Sequence, residues 1–479
     1  MTKSEQDPRD LAPNAPLFAA YLRGLERRAG PGHPFITPGH KGSMSLTGAA
    51  VAGDLGLSGG LDSVKLANGY LEEAEALAAA LWGADFCRFS VGGSTHGNQA
   101  LALSLGRPGD EVVVSRTLHR SMLIGLVLAG LRPVWVRPEV DPRSGLPAGI
   151  TAGAVRDVLS RHPAARAVLV GEPSYVGTFG PVADLAEAAH SAGVPLVVDA
   201  AWAAHFGFHP DLPPHPIAAG ADAMVTSAHK VLPSYSQGAL ILARGERIDR
   251  SRLARGFEAT HTTSPSGQIL ASIDASRELL ARQGRELLGE TLELVAEARE
   301  RLRQVPGLVV LDGPQVDPAK LVLVLPGTGA HGVEVEEEMI ARGMPLEMAD
   351  RDTLVALVTL ADSSSDVSAL TDALSSVIAQ RRGEPRAVPA AASWVVEPDP
   401  VLTPREAFFS PAESVAVEAA VGRVSAELVA SYPPGVPVLA PGERVTAEAV
   451  GALLDAQREG IRIAYAADPS LATFQVVRE

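Results

Sequence analysis

Between residues 70 and 243 one pattern repeats: a short apolar run, a turn of glycine and hydroxyl residues, then a stretch with helical spacing. The apolar runs are Phe86–Val91, Glu111–Ser115, Pro133–Val136, Ala167–Val170, Val194–Val198, Ala223–Thr226 and Ala239–Leu242. Most of them do not alternate apolar with polar residues, so both faces of each strand must be covered. The intervening segments Tyr70–Gly83, Ala100–Leu105, Met122–Ala129, Thr151–Leu159 and Val182–Ala192 read as the covering helices. Strands that alternate with helices specify an α/β fold with a mostly parallel, doubly wound sheet. Such sheets bind ligands just past the carboxyl ends of their strands.

The residues at those ends are chemically pointed. Gly92-Gly93-Ser94-Thr95-His96-Gly97-Asn98-Gln99 follows the first strand and opens a helix, an order that cradles an anion on helix amides and hydroxyls. It lacks the glycine spacing of a dinucleotide site and the Gly-Lys-Ser/Thr ending of a nucleoside triphosphate site. His119 stands at the next strand–helix junction, where it either stacks on an aromatic ligand or caps the helix. Glu172 lies in a ligand-side loop, Asp199 ends the fifth strand, and Ser227-Ala228-His229-Lys230 ends the sixth, with Lys230 expected on a polar turn. An aspartate and a lysine so placed suit pyridoxal 5'-phosphate: the acid keeps the ring nitrogen protonated and the amine holds the aldehyde as a Schiff base.

The rest of the chain bounds the alternatives. Its 479 residues leave room for two or three domains, and 46% apolar content describes a globular protein. A net charge of −15 argues against nucleic acid as a partner. Cys87 is the single cysteine, so no disulfide forms within the chain and no zinc–thiolate site is expected; no metal is assigned. No stretch reaches the length of a membrane span, and the amino terminus lacks the apolar core of a signal peptide, so a cytoplasmic location is expected. Leu17–Arg28 spaces its apolar residues as one helix, and Gln268–Leu302 reads as helical, bent or divided near Gly284 and Gly289. Strands are expected at 308–311, 320–325 and 354–359, with helices at 333–342 and 367–380. Arg381–Pro400 reads as a linker. Beyond it come a helix at 412–419, a second short helix after Gly422, the loop Tyr432-Pro433-Pro434-Gly435-Val436-Pro437 and a helix at 446–457.

Five motifs in order carry a resemblance: Thr37-Pro38-Gly39-His40-Lys41, Gly93-Ser94-Thr95 through Asn98-Gln99, Ser227–Lys230, Thr262-Thr263-Ser264-Pro265-Ser266, and Tyr432–Glu443. The chain resembles the short bacterial Orn/Lys/Arg decarboxylases, which lack an N-terminal wing domain and belong to the fold-type I pyridoxal-phosphate enzymes. The resemblance implies an aspartate-aminotransferase-like domain with a seven-stranded sheet, a small α+β domain and a C-terminal α+β domain. The expected divisions are 1–60, 61–268, 269–380, a linker at 381–400, and 401–479. Carried over by residue, Lys230 would bond the cofactor, Asp199 would pair with the pyridine nitrogen, and His119 would stack on the ring. Ala201 would pack on its other face. Ser94, Thr95 and Ser227 would bind phosphate, and His229 would donate a proton. Ser264 would close part of the partner's site in a homodimer with shared active sites, or in a higher assembly.

The implied reaction is α-decarboxylation of a basic amino acid, arginine foremost with lysine or ornithine open, as in polyamine biosynthesis. Asp62, Trp202, Glu172 and Glu443 are the candidates for substrate contacts. Ala200 and Trp202 depart from the family, which usually has glutamate and histidine there; Gly267 replaces an aromatic residue; and Gly60-Leu61-Asp62-Ser63-Val64 lacks the usual acidic pair and histidine. These changes keep open a different reaction on the same cofactor, transamination or lyase chemistry, and a catalytically degenerate binding relative.

Overall fold

Strand-forming runs that are apolar throughout produce a sheet buried on both sides. The computed structural model describes residues 7–30, 35–59, 61–62, 69–388, 394, 396–432 and 435–478. Its central sheet comprises β1 (Phe86–Ser90), β2 (Glu111–Ser115), β3 (Arg132–Val136), β4 (Val168–Gly171), β5 (Leu196–Asp199), β6 (Ala223–Ser227) and β7 (Ala239–Ala243). The seven strands lie in the order β1-β7-β6-β5-β4-β2-β3. Strands β2 to β6 pair in parallel, and β7 runs against both its neighbours, β1 and β6. Gly171 pairs with Asp199, and Asp199 with Val225, so the ends of β4, β5 and β6 are level and present their following residues to one region.

Helices cover both faces. Gly93–Leu105 and Arg120–Ala129 pack on one side with Leu101, Leu123 and Leu126 in the core, while Leu185, Ala189 and Val155 bury on the other. The amino-terminal helix Pro16–Ala29 docks on helix Gly267–Leu302 through Asp274, whose Oδ2 accepts from the amides of Leu17 and Phe18 at 2.9 and 3.2 Å.

A smaller antiparallel sheet, ordered β10-β11-β9-β8, is built from β8 (Val309–Val310), β9 (Lys320–Val324), β10 (Met348–Ala349) and β11 (Thr353–Leu357). Helices Gly332–Ala341 and Ser364–Gln380 pack with it. In the carboxyl-terminal unit, Val429–Tyr432 pairs with Pro437–Leu439 and with Arg462–Ala464, and helix Ala447–Arg458 covers them.

The structure corrects several local expectations. Gly267–Leu302 is one continuous 36-residue helix, not two segments. A Cβ at Gly284 would lie 3.3 Å from Leu280 and 3.7 Å from Phe208, and one at Gly289 would lie 3.2 Å from His209. Both glycines therefore mark close approach of neighbours and not a break. Residues 412–419 are not one helix: Ala412–Ala416 is a strand paired with Thr473–Val477, followed by the single turn Val417–Ala420. Among the described residues, no helix lies between Gly422 and the strand Val429–Tyr432. Arg250–Thr260, where the sequence reading placed no element, is a helix capped by Asp249, whose Oδ1 accepts from Arg252 N. Lys230 lies in the one-turn helix Ala228–Val231. Pro433 and Pro434, together with Gly60, Ser63 and Val64, lie outside the described residues. No helix among the described residues is long and apolar enough to cross a membrane.

Candidate active site

The level strand ends open into a cavity of about 600 Å³. Asp199 sits at the end of β5 in a buried position. Asn98, fully buried on helix Gly93–Leu105, donates from Nδ2 to Asp199 Oδ2 at 2.7 Å, and Ala201 N donates to Oδ1 at 3.3 Å. Asn98 Nδ2 also reaches Ser121 Oγ at 2.9 Å, and Ser121 Oγ meets His119 Nδ1 at 2.9 Å. One hydrogen-bonded chain thus fixes both the carboxylate and the histidine. The His119 side chain caps helix Arg120–Ala129, and its ring lines the cavity. Burial pushes its proton affinity down, assisted by Lys230 and opposed by Asp199.

Lys230 follows β6 and turns into the same cavity. Its Nζ lies 3.9 Å from the centroid of the Trp202 indole. Burial lowers its affinity for a proton, and Asp199 and Glu347 only partly restore it. A free amine is the nucleophilic form, so this environment prepares Lys230 to attack a carbonyl. His229 Nδ1 donates to Gly238 O at 2.9 Å, which leaves Nε2 as the ring's other polar atom.

The same cavity contains an anion cradle. Gly92 and Gly93 precede Ser94 and Thr95 in the first turn of helix Gly93–Leu105, where amide groups have no partner within the helix. Gly93 adopts φ +68°, a left-handed backbone that glycine supplies without strain. Ser227 Oγ is buried against this cavity with no hydrogen-bond partner among the described residues. An unpaired buried hydroxyl beside free helix amides fits a phosphate group. With Asp199 and Lys230 lining the same cavity, the residues present match the phosphate, ring nitrogen and aldehyde of pyridoxal phosphate.

Ser94, Thr95, His119, Asp199, Ala201, Trp202, Ser227, His229 and Lys230 all line the one cavity. Four other sequence candidates do not line it. Glu172 is buried with its two oxygens accepting from Ile150 N and Gly180 N, each at 3.0 Å. Glu443 forms a buried ion pair with Arg116 at 2.6 Å. Asp62 Oδ2 accepts from Leu71 N at 2.6 Å. Ser264 is exposed on its own chain, its amide bonded to Thr262 Oγ1 at 3.2 Å.

Other wall residues escaped the sequence reading. Asp350, Met348, Trp394, Tyr465 and Gln237 line the cavity from elements distant in the chain. Asp350 Oδ1 accepts from Asp352 N and Thr353 N at 2.9 and 2.6 Å. Burial raises its carboxyl to about 6; those amides oppose the rise and the Asp352 charge adds to it. Glu347, which accepts from Tyr175 OH at 2.7 Å, brings a second carboxylate to this side. Asp350 gave no advance sign, since it stands in the charged run Asp350-Arg351-Asp352 between two strands.

Comparison with known proteins agrees with this geometry. Residues 32–341 match the family described as Orn/Lys/Arg decarboxylase, major domain, and residues 389–462 match its C-terminal domain. An arginine decarboxylase of Halalkalibacterium halodurans is 32% identical over 93% of this chain and 94% of its own length. An arginine decarboxylase of Bacillus subtilis is also 32% identical, over 88% of each chain. The crystal structure of a Francisella novicida lysine decarboxylase has a TM-score of 0.81 at 18% identity, covering 97% of this chain and 81% of that one, which shows a shared fold. The chain belongs to the Orn/Lys/Arg decarboxylase family of fold-type I pyridoxal-phosphate enzymes.

Proposed function

We propose that this protein removes the α-carboxylate of a basic amino acid, arginine foremost, as a pyridoxal-phosphate-dependent decarboxylase of the cytoplasm. The observation that carries the reading is the convergence of the Lys230 amine and the Asp199 carboxylate on one cavity that also contains an anion cradle. Bound pyridoxal phosphate supplies the electron sink that allows a bond at the substrate's α-carbon to break. The chain's own residues do the rest. Lys230 would hold the cofactor's aldehyde, and Asp199, steadied by Asn98, would keep a proton on its ring nitrogen. Ser94, Thr95 and Ser227 would hold its phosphate, and His119 and Ala201 would pack against its ring. His229, anchored through Nδ1 and lining the same cavity, would return a proton to the α-carbon through Nε2. The carboxyl-terminal unit excludes water through Val436, Ala456 and Ile461.

The distal wall supports a cationic substrate. Asp350 offers a carboxylate fixed by two backbone amides, in a cavity that the aromatic residues Tyr175, Trp394, Tyr432 and Tyr465 also line. A planar guanidinium both pairs with a carboxylate and stacks on aromatic faces. The two relatives named arginine decarboxylases favour the same choice over lysine or ornithine. We further assign residues 61–268 to the cofactor-holding unit, 269–380 to the small unit and 401–479 to the carboxyl-terminal unit. The exposed position of Ser264, off its own cavity, supports a homodimer in which it serves the partner's site.

A visible absorbance spectrum followed by incubation with arginine, lysine and ornithine tests the assignment. The expected result is a cofactor band lost in Lys230→Ala, with equimolar carbon dioxide and amine from one basic amino acid. A band that survives in Lys230→Ala, or substrate turnover without carbon dioxide, would overturn it.

A further inference from the structure

A second lysine stands behind the first. Lys320 opens β9, is 2% exposed, and has an Nζ with no hydrogen-bond partner among the described residues. That atom lies 3.6 Å from the centroid of the Trp202 indole and 5.5 Å from that of Tyr175. Lys230 Nζ lies 3.9 Å from the same indole. Trp202 lines the main cavity while Lys320 does not, so the indole separates the buried lysine from the cavity while contacting both amines. Tyr175 braces the indole edge-on at 5.2 Å between ring centroids.

The surrounding charges do not neutralise Lys320. Asp317, the nearest acid on the preceding loop, is occupied: its Oδ1 pairs with His205 Nε2 at 3.1 Å and accepts from Ala319 N at 3.0 Å. Arg299, from the long helix, brings its guanidinium to the backbone oxygens of Asp317 and Lys320. Glu347 acts from the β10 side and Lys230 from the cavity. Burial lowers Lys320 to about 7, with Lys230 pushing the same way and Asp317 and Glu347 opposing. Its charge therefore changes near neutrality.

We infer that Trp202 is a positioning residue that holds the Lys230 amine on its indole whenever that amine is not bonded to cofactor, and that Lys320 weakens the hold by competing for the same ring. The inference rests on Lys230 being the cofactor-bonding amine. An indole attracts a cation through its ring quadrupole, and a second cation at the same ring both competes for it and repels the first. When Lys320 carries a proton, Lys230 is released toward its neutral, attacking form. When Lys320 is neutral, Trp202 retains the Lys230 ammonium near the point to which it must return after each turnover.

The test is the rate at which Lys230 is acylated by a small amine-reactive reagent in the full-length protein freed of cofactor, read by mass spectrometry across pH. Trp202→Phe keeps an aromatic ring with a weaker quadrupole and is expected to label about threefold faster below the Lys230 midpoint. Lys320→Met removes the competing cation and is expected to label about tenfold slower below about pH 7, with the difference vanishing above about pH 8. Opposite directions separate this role from a general loosening, which would speed both. Rates unchanged in either variant, or both shifted the same way, would overturn the inference. Rebinding of cofactor with its visible band serves as the folding control. A band that survives in Lys230→Ala would instead overturn the decarboxylase assignment, leaving the labelling comparison of Trp202 and Lys320 to be judged by itself.

Discussion

Replacing Glu443 by glutamine tests whether that residue binds substrate or fastens the carboxyl-terminal unit to the sheet. Arg116 follows β2 and is 1% exposed; its Nη1 and Nη2 donate to Glu443 Oε1 and Oε2 at 2.6 and 2.9 Å. Nη2 also donates to Val438 O at 3.1 Å, and the guanidinium lies 4.5 Å from the Trp135 ring centroid. Glu443 Oε2 accepts in turn from Ala440 N at 2.8 Å. Glutamine preserves the volume but leaves the Arg116 charge buried without a counterion, and removing one partner of such a pair costs about 3–5 kcal/mol. A domain is stable by only about 5–15 kcal/mol, so the carboxyl-terminal unit would undock before the sheet unfolds. Urea titration with hydrogen exchange read at Val429–Leu439 measures that step directly. Arg116→Met combined with Glu443→Leu removes both charges and is expected to recover most of the loss. A Glu443→Gln protein within about 0.5 kcal/mol of the parent, with a raised KM alone, would refute the fastening role and return Glu443 to the substrate.

Asp350→Asn is expected to raise KM for arginine about 10- to 100-fold while leaving the cofactor band intact, the worth of one charge-assisted hydrogen bond. Asn98→Ala removes the donor that steadies Asp199 and should weaken cofactor retention, measured as the rate at which the visible band is lost on dialysis. Lys320 is lowered from 10.5 to about 7 in the folded protein, so the unfolded chain binds more protons between those values. Through this group stability rises with pH across that window and its penalty is complete below it. Lys320→Met should flatten that slope in thermal unfolding followed from about pH 6 to about pH 10.

The large sheet was legible because β4, β5, β6 and β7 are buried at every position, a demand that an unbroken apolar run states directly. The candidate cofactor side was legible for the same reason: Asp199 and Ser227 end strands, Ser94 and Lys230 come shortly after strand ends, and strand ends were the readable feature. The distal wall was not. Asp350, Trp394 and Tyr465 meet only through pairing between segments far apart in the chain, and no local period announces that pairing. Ala412–Ala416 misled because a mixture of alanine, valine and glutamate satisfies a helical spacing, while its strand state depends on Thr473–Val477. Arg250–Thr260 was missed because it buries only Leu253, Gly256 and Phe257, too few for its periodicity to stand out. Glu443 and Glu172 looked functional because carboxylates beside loops do; their burial and partners were invisible in one dimension.

The 36-residue helix Gly267–Leu302 spans about 54 Å. Leu270, Ile273, Leu280 and Leu288 seat it in the core beneath the central sheet, whereas Val295, Ala298 and Leu302 seat the small unit on its far end. It therefore joins the small unit to the core of the central sheet as one rod. A tilt of about 5° over half that length moves the far end by about 2 Å, more than one carbon–carbon bond along a substrate stem. Asp350 rides on the moving end and Lys230 on the fixed one. On the proposed placement of substrate between Asp350 and Lys230, substitutions beneath this helix, far from the cavity, are expected to shift the choice among basic substrates, read as relative KM for arginine, lysine and ornithine.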